Sequence, residues 1–252
     1  MTTFKRASRV AASCIAATLC FSANANAAEG EGWEWIVAPY GWAASIGTDL
    51  ERRTPPTGGI STDTSFSDIV DKIDGAFQIH IEGQNERWGM FTDFTFIGLA
   101  DERDRPRFHT ESDLDTRLFE LAAVWSPGEG RYRGWDLFAG LRYIDVDLTV
   151  RFIPTNPAFN PTTFDGGETY NDFMLGARYT WALSDRWGLT LRGDGSFGDT
   201  DGTWNTSAVA SYRMKRGSWF FGYRYLSVEL ETDDGSTDIT MSGPMIGYGF
   251  IF

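Results

Sequence analysis

The sequence predicts an all-β fold, a transmembrane antiparallel up-and-down β-barrel of about ten strands, with roughly eight to twelve as bounds. Three observations predict it. Long stretches alternate apolar and polar residues with a period of two. Tryptophans recur directly after polar or glycine turn residues. The chain ends on alternate aromatics, Tyr248, Phe250 and Phe252.

Composition narrows the alternatives. Aromatic residues make up 15% of the chain and glycines number 28, a mix suited to strands and tight turns rather than helices. Beyond the first residues no apolar run approaches the roughly eighteen that a membrane-crossing helix needs. The N-terminus reads as a cleaved signal peptide over 1–27, leaving 28–252 as the barrel. Lys5, Arg6 and Arg9 form a positive segment, Val10 to Phe21 an apolar one, and Ala25-Asn26-Ala27 a small-x-small cleavage site. Both cysteines, Cys14 and Cys20, fall inside it, so the exported chain has no thiol for a disulfide or a metal. Cleavage removes three positive charges from a net −13, giving −16, which argues against nucleic acid as a partner.

The strands follow in order: 33–46, 74–84, 88–101, 113–126, 135–152, 168–183, 187–199, 203–215, 219–233 and 237–252. Longer loops are expected at 47–73, 102–112 and 153–167. In the first loop Phe66, Ile69, Val70 and Ile73 have helical spacing after Ser65, a candidate N-cap, so one short helix is expected near 65–73. Connections ending in Asn85-Glu86-Arg87-Trp88, Arg133-Gly134-Trp135, Asp185-Arg186-Trp187 and Arg216-Gly217-Ser218-Trp219 each open a strand with tryptophan. With Trp33, Trp35, Trp125 and Trp181, this puts Trp88, Trp135, Trp187, Trp219 and their companions at one end of the barrel. A girdle at one membrane–water interface explains the clustering, because indole prefers the headgroup level. A soluble sandwich gives no reason for it.

Pointing each opening tryptophan outward sets the phase of its strand. Met90, Phe94 and Phe96, or Leu137, Leu141 and Tyr143, or Phe221, Tyr223 and Tyr225 then face lipid. The same phase, with Phe77, Ile79 and Ile81 outward on the second strand, sends a polar set inward: Glu34, His80, Glu82, Asp93, Glu120, Asp136, Arg142, Asp172, Arg178, Arg192, Asp194, Arg213 and Arg224. Such an arrangement inverts a soluble barrel. Near balance of seven acids and five arginines favours an ion-pair lattice filling the lumen, since unpaired buried charge is costly. A selectivity lining for small solutes is the other reading, and a site at His80 and Glu82 a third. No nucleophile pattern surrounds His80 or His109, and no His-x-His or His-x-x-x-His spacing occurs, so neither enzyme nor cofactor is expected. Acids at Asp145, Asp147, Asp199, Asp201, Glu229, Glu231, Asp233 and Asp234 make the loop rim acidic, as solvated loops commonly are.

The stretches Pro39-Tyr40-Gly41-Trp42-Ala43-Ala44-Ser45-Ile46, Ser65-Phe66-Ser67-Asp68-Ile69-Val70 and Arg87-Trp88-Gly89-Met90-Phe91-Thr92-Asp93 resemble uncharacterised proteobacterial outer-membrane β-barrel proteins, and more loosely the porin and opacity-protein superfamily. The alternating Tyr248, Phe250 and Phe252 resemble the signal read by the barrel assembly machinery, Met245 departing from the polar residue usual there. The resemblance implies the outer membrane of a Gram-negative bacterium, with outer-membrane lipid and lipopolysaccharide as surroundings. It brings no catalytic residues. The expected role is structural or a narrow solute pore; a lipid-modifying enzyme and a surface adhesion barrel are the alternatives.

Overall fold

A computed structural model describes residues 32–252 apart from 53–57, 106, 129–131, 157 and 233–234. The signal peptide expected over 1–27 lies outside the described residues, as do Asp233 and Asp234 and the side chain of Glu231.

The strands are β1 (Glu34–Trp42), β2 (Ser45–Arg52), β3 (Gly58–Thr64), β4 (Ile73–Gln84), β5 (Trp88–Arg105), β6 (Phe108–Trp125), β7 (Gly134–Pro154), β8 (Thr162–Ala182), β9 (Trp187–Gly198), β10 (Gly202–Arg213), β11 (Gly217–Thr232) and β12 (Gly235–Ile251). Each pairs antiparallel with its neighbour from β4 to β12, and β1 closes the ring against both β4 and β12. Along β12 the pairing runs Trp42↔Met245 and then Ser45↔Ser242, one continuous register, so β1 and β2 are two halves of a single barrel strand. At Ala43–Ala44 the free edge changes partner from β4 to β3. The result is a closed barrel of ten strands with β3 as an added flap. Gly243 lies where this composite strand approaches closest, since any Cβ there would run into the Ala43 carbonyl.

All three of the expected longer loops are shorter than their composition suggested. The segment 47–73 continues as strand to Arg52 and returns through β3, and β5 and β6 run to Arg105 and from Phe108, leaving a tight hairpin where a loop over 102–112 was expected. Likewise β7 and β8 reach Pro154 and Thr162 inside the expected 153–167 loop. Proline, aspartate and glycine disfavour strands in general, but cross-strand pairing overrides that weak preference. The helix α1 (Phe66–Ile69) continues as one 3-10 turn, Val70–Lys72. Ser65 precedes it in extended conformation, but its hydroxyl donates to Asp68 Oδ2 at 2.5 Å rather than capping a backbone amide. Ile69 is buried over the mouth, and the Phe66 amide donates to Ser45 Oγ at 3.0 Å.

The period-two pattern shows in exposure. Trp135, Leu137, Ala139, Leu141 and Tyr143 point outward on β7 before Asp145; Trp181, Tyr179, Ala177, Leu175 and Phe173 do so on β8 before Asn171. Five outward positions on tilted strands make an apolar band about 20–25 Å tall, the height of a membrane barrel's lipid face.

Candidate functional site

The chemistry gathers in the lumen, where inward side chains of nine strands meet. Its centre is Glu120 on β6, whose side chain is 0% exposed. Glu120 Oε1 accepts from Arg142 Nη2 at 2.8 Å and from Arg224 Nη2 at 3.1 Å, and Oε2 accepts from Arg192 Nη2 at 2.8 Å. Arg192 Nε donates to Asp194 at 2.7 Å, and Arg142 reaches both Asp194 and Ser196. Arg224 Nε donates to Asn205 Oδ1 at 2.9 Å, and Asn205 Nδ2 in turn to Asp194 at 2.8 Å. Asp93, 3.6 Å from Arg224, accepts the Tyr40 hydroxyl at 2.7 Å. Three acids, Asp93, Glu120 and Asp194, thus face three arginines. Charges withdrawn from water require this degree of compensation.

A chain of bonds leads from the centre toward the tryptophan end. His80 Nδ1 lies 3.1 Å from Asp93 and Nε2 3.3 Å from Glu82. Arg178 clamps Glu82 with both terminal nitrogens and donates from Nε to Asp136 at 2.7 Å, while Ser126 Oγ donates to Asp136 and Gln84 Nε2 to Ser126 at 2.7 Å. Asp172 faces Arg142 across the β7–β8 pairing and meets it through the Ser196 hydroxyl. Its oxygens accept from Ser196 at 2.9 Å and from the Thr200 amide at 3.1 Å. At the end of the barrel Glu34 accepts from Tyr132 at 2.7 Å and from Arg213 at 3.2 Å.

The interior is not uniformly polar, contrary to the reading from alternation alone. On β6 the inward row runs Leu118, Glu120, Ala122, Val124, and Glu120 is the single charge in it. Toward the loops Trp42, Ala44, Leu118, Ile144, Leu226 and Val228 form one apolar layer; toward the tryptophans Phe91, Ala122, Val124, Phe138 and Met174 form another. Arg192 lies 5.0 Å from the ring centroids of both Phe91 and Phe138, and Arg224 5.0 Å from that of Trp42. Aromatic faces therefore shield the guanidinium groups that carboxylates neutralise. In a lumen of ten strands the side chains must fill volume as well as satisfy polarity.

Tyr132 was not legible in the sequence. It lies in the turn before β7 with φ 57°, a left-handed conformation uncommon for an aromatic residue. Its hydrogen bond to Glu34 and the Arg213 guanidinium 4.1 Å over its ring hold it across the barrel end. Burial first, then that bond, pushes its phenol pKa up. The eight tryptophans Trp33, Trp35, Trp88, Trp125, Trp135, Trp181, Trp187 and Trp219 are between 39% and 57% exposed, all on the outer surface at the end where Gly32 and Phe252 lie. Tyrosines knit them together: Trp135 to Tyr179 at 5.0 Å, Tyr179 to Trp181 at 4.5 Å, Trp187 to Tyr212 at 4.9 Å and Trp219 to Tyr248 at 5.0 Å. The other two tryptophans differ: Trp42 is inside the lumen, and Trp204 faces outward near the opposite edge of the band.

The chain superposes on the outer membrane protease OmpT from Escherichia coli with a TM-score of 0.50 at 9% identity, over 87% of this chain and 96% of that one. Its fold is that of an outer-membrane β-barrel. At such identity the likeness is one of fold. Ail, the attachment invasion locus protein of Yersinia pestis, matches at a TM-score of 0.39 and 9% identity over 88% of this chain and all of the other. A Pseudomonas aeruginosa FadL homologue matches at 0.36 and 10% over 86% and 90%. No protein-family model matches the sequence, and no curated protein matches it.

Proposed function

We propose that this protein is an integral barrel of a Gram-negative outer membrane whose lumen is sealed, so that its role is structural rather than that of an open pore. One observation carries the reading. Glu120, at mid-lumen, is fully buried together with Arg142 and Asp194, and apolar layers lie on either side of them. An ion crossing here would have to displace paired charges from a site without bulk water, at a cost of several kcal/mol per charge. Lipid and lipopolysaccharide surround the aromatic band on this reading, and the barrel assembly machinery inserts the chain through its C-terminal strand. On this reading no catalytic role falls to His80, whose two nitrogens are engaged by Glu82 and Asp93, Arg178 in turn holding Glu82.

Planar-bilayer recording on refolded protein tests the proposal. Negligible conductance is expected from the wild type. Stable, ohmic single-channel steps would overturn the sealed lumen in favour of a pore.

A further inference from the structure

We propose that the tall side of the loop end binds a single-chain amphiphile with an anionic head group. Above the apolar band the outward positions of β5–β8 become charged, among them Glu102, Glu111, Asp113, Asp147 and Asp165. On the concave face an apolar row, Phe108, Leu148, Val150, Phe152 and Phe164, lies beside the inward Asp101 and Arg103 of β5. Phe152 is 40% exposed and Phe164 59%, although both sit on the inner side. The wall beside them does not reach this height, because β9 and β10 stop at Gly198 and Gly202, level in register with Asp172, while β8 continues to Thr162. Exposed aromatics on an inner face, backed by a charged outer face, mark a binding surface rather than a lipid contact.

Within this face lies a groove of about 350 Å³ lined by Phe108, Val150 and Phe152 on one side and by Asp101, Arg103, Thr110 and Ser112 on the other. That size and that mixture, an apolar wall with a few polar groups, suit a small ligand. Phe108 and Phe152 meet edge to face with centroids 6.0 Å apart, giving a rigid apolar floor. The charge at its rim selects the head group. Asp101 accepts from Arg103 Nε at 2.8 Å and from Lys72 at 3.4 Å, so two cations share one carboxylate and leave a net positive corner. Arg103 is 62% exposed, a cation open to solvent on the inner face of an otherwise acidic protein. An acyl tail on the phenylalanines with a carboxylate or phosphate at Arg103 satisfies both halves of the groove. The assignment is independent of whether the lumen conducts.

The test uses the full barrel in nanodiscs of zwitterionic phospholipid, with dodecanoate, dodecyl phosphate and dodecyl maltoside as probes. Saturable binding of an anionic probe above that of empty nanodiscs is expected, with maltoside much weaker. A preference for dodecanoate points to a free fatty acid and one for dodecyl phosphate to a phosphorylated lipid; either supports the site. Arg103→Gln should weaken anionic binding about tenfold, the loss of one charged hydrogen bond, and Phe152→Ser should abolish it, with heat-modifiable mobility unchanged. A spin-labelled dodecanoate should broaden fluorine-labelled Phe108 and Phe152 in the wild type, which locates the tail without any variant. Equal binding of all three probes, no effect of either substitution, or dimerisation of the barrel lost in Phe152→Ser would each overturn the proposal.

Discussion

Glu120 is shared by Arg142, Arg192 and Arg224, and removing any one of them leaves a buried carboxylate short of counter-charge. Arg142→Ala should therefore destabilise the barrel by about 3–5 kcal/mol, the usual cost of stranding a buried charge. Arg213→Ala breaks a pair whose arginine is 40% exposed and should cost far less. Urea unfolding in lipid vesicles compares the two, and equal losses would contradict the buried lattice. A second prediction belongs to the hairpin above the membrane. The hydrogen bond with Asp104 at 2.7 Å raises the pKa of His109 above its ordinary value. With a raised folded pKa, the contact is fully present below the unfolded value and lost as pH rises through the folded one. In Asp104→Asn the His109 resonance should titrate at lower pH than in the wild type, and an unchanged midpoint would remove Asp104 as the cause.

At the scale of a strand, one phase decides the environment of every side chain. Leu141 is 59% exposed on the outer surface within the apolar band, so Leu141→Arg should cost about 2–4 kcal/mol if it lies near the midplane. The inward control must be chosen with care. Gln78 points inward but is buried, its Oε1 accepting the Trp42 amide at 2.6 Å, so a substitution there breaks a bond unrelated to lipid. Ser211, inward and half-buried near the tryptophan end, is the better choice. Refolding titrations in which Ser211→Arg and Leu141→Arg lose the same stability would mean the phase is wrong.

For the whole molecule the decisive event is closure. Phe252 ends the chain, and its amide and carbonyl both bond Trp35, at 2.9 and 3.1 Å. Deleting Phe252 removes these two bonds together with an outward aromatic that is 57% exposed. Assembly should fall strongly while export continues, visible as unfolded chain that lacks heat-modifiable mobility. Wild-type amounts of folded barrel from the deletion would show that the terminal residue is dispensable.

Alternation in the sequence was enough to read a barrel of about ten strands and to send Glu120, Arg142, Arg178 and Arg224 to the same side, because a strand leaves each side chain only two directions. The turn tryptophans were legible for a related reason: short connections place them at one end whatever the register. Which acid meets which arginine was not legible, since Glu120 and Arg224 lie 104 residues apart and come together only when the sheet closes. Closure also decided that Leu118, Phe138 and Met174 fill the space between charges, that Tyr132 crosses the barrel end, and that β5–β8 stand above β9 and β10 with exposed phenylalanines on their inner face. Direction along a strand is a local property, set by the backbone of each residue. The width of the lumen, and so the volume its side chains must fill and the charges they must neutralise, exists only once the last strand has paired with the first.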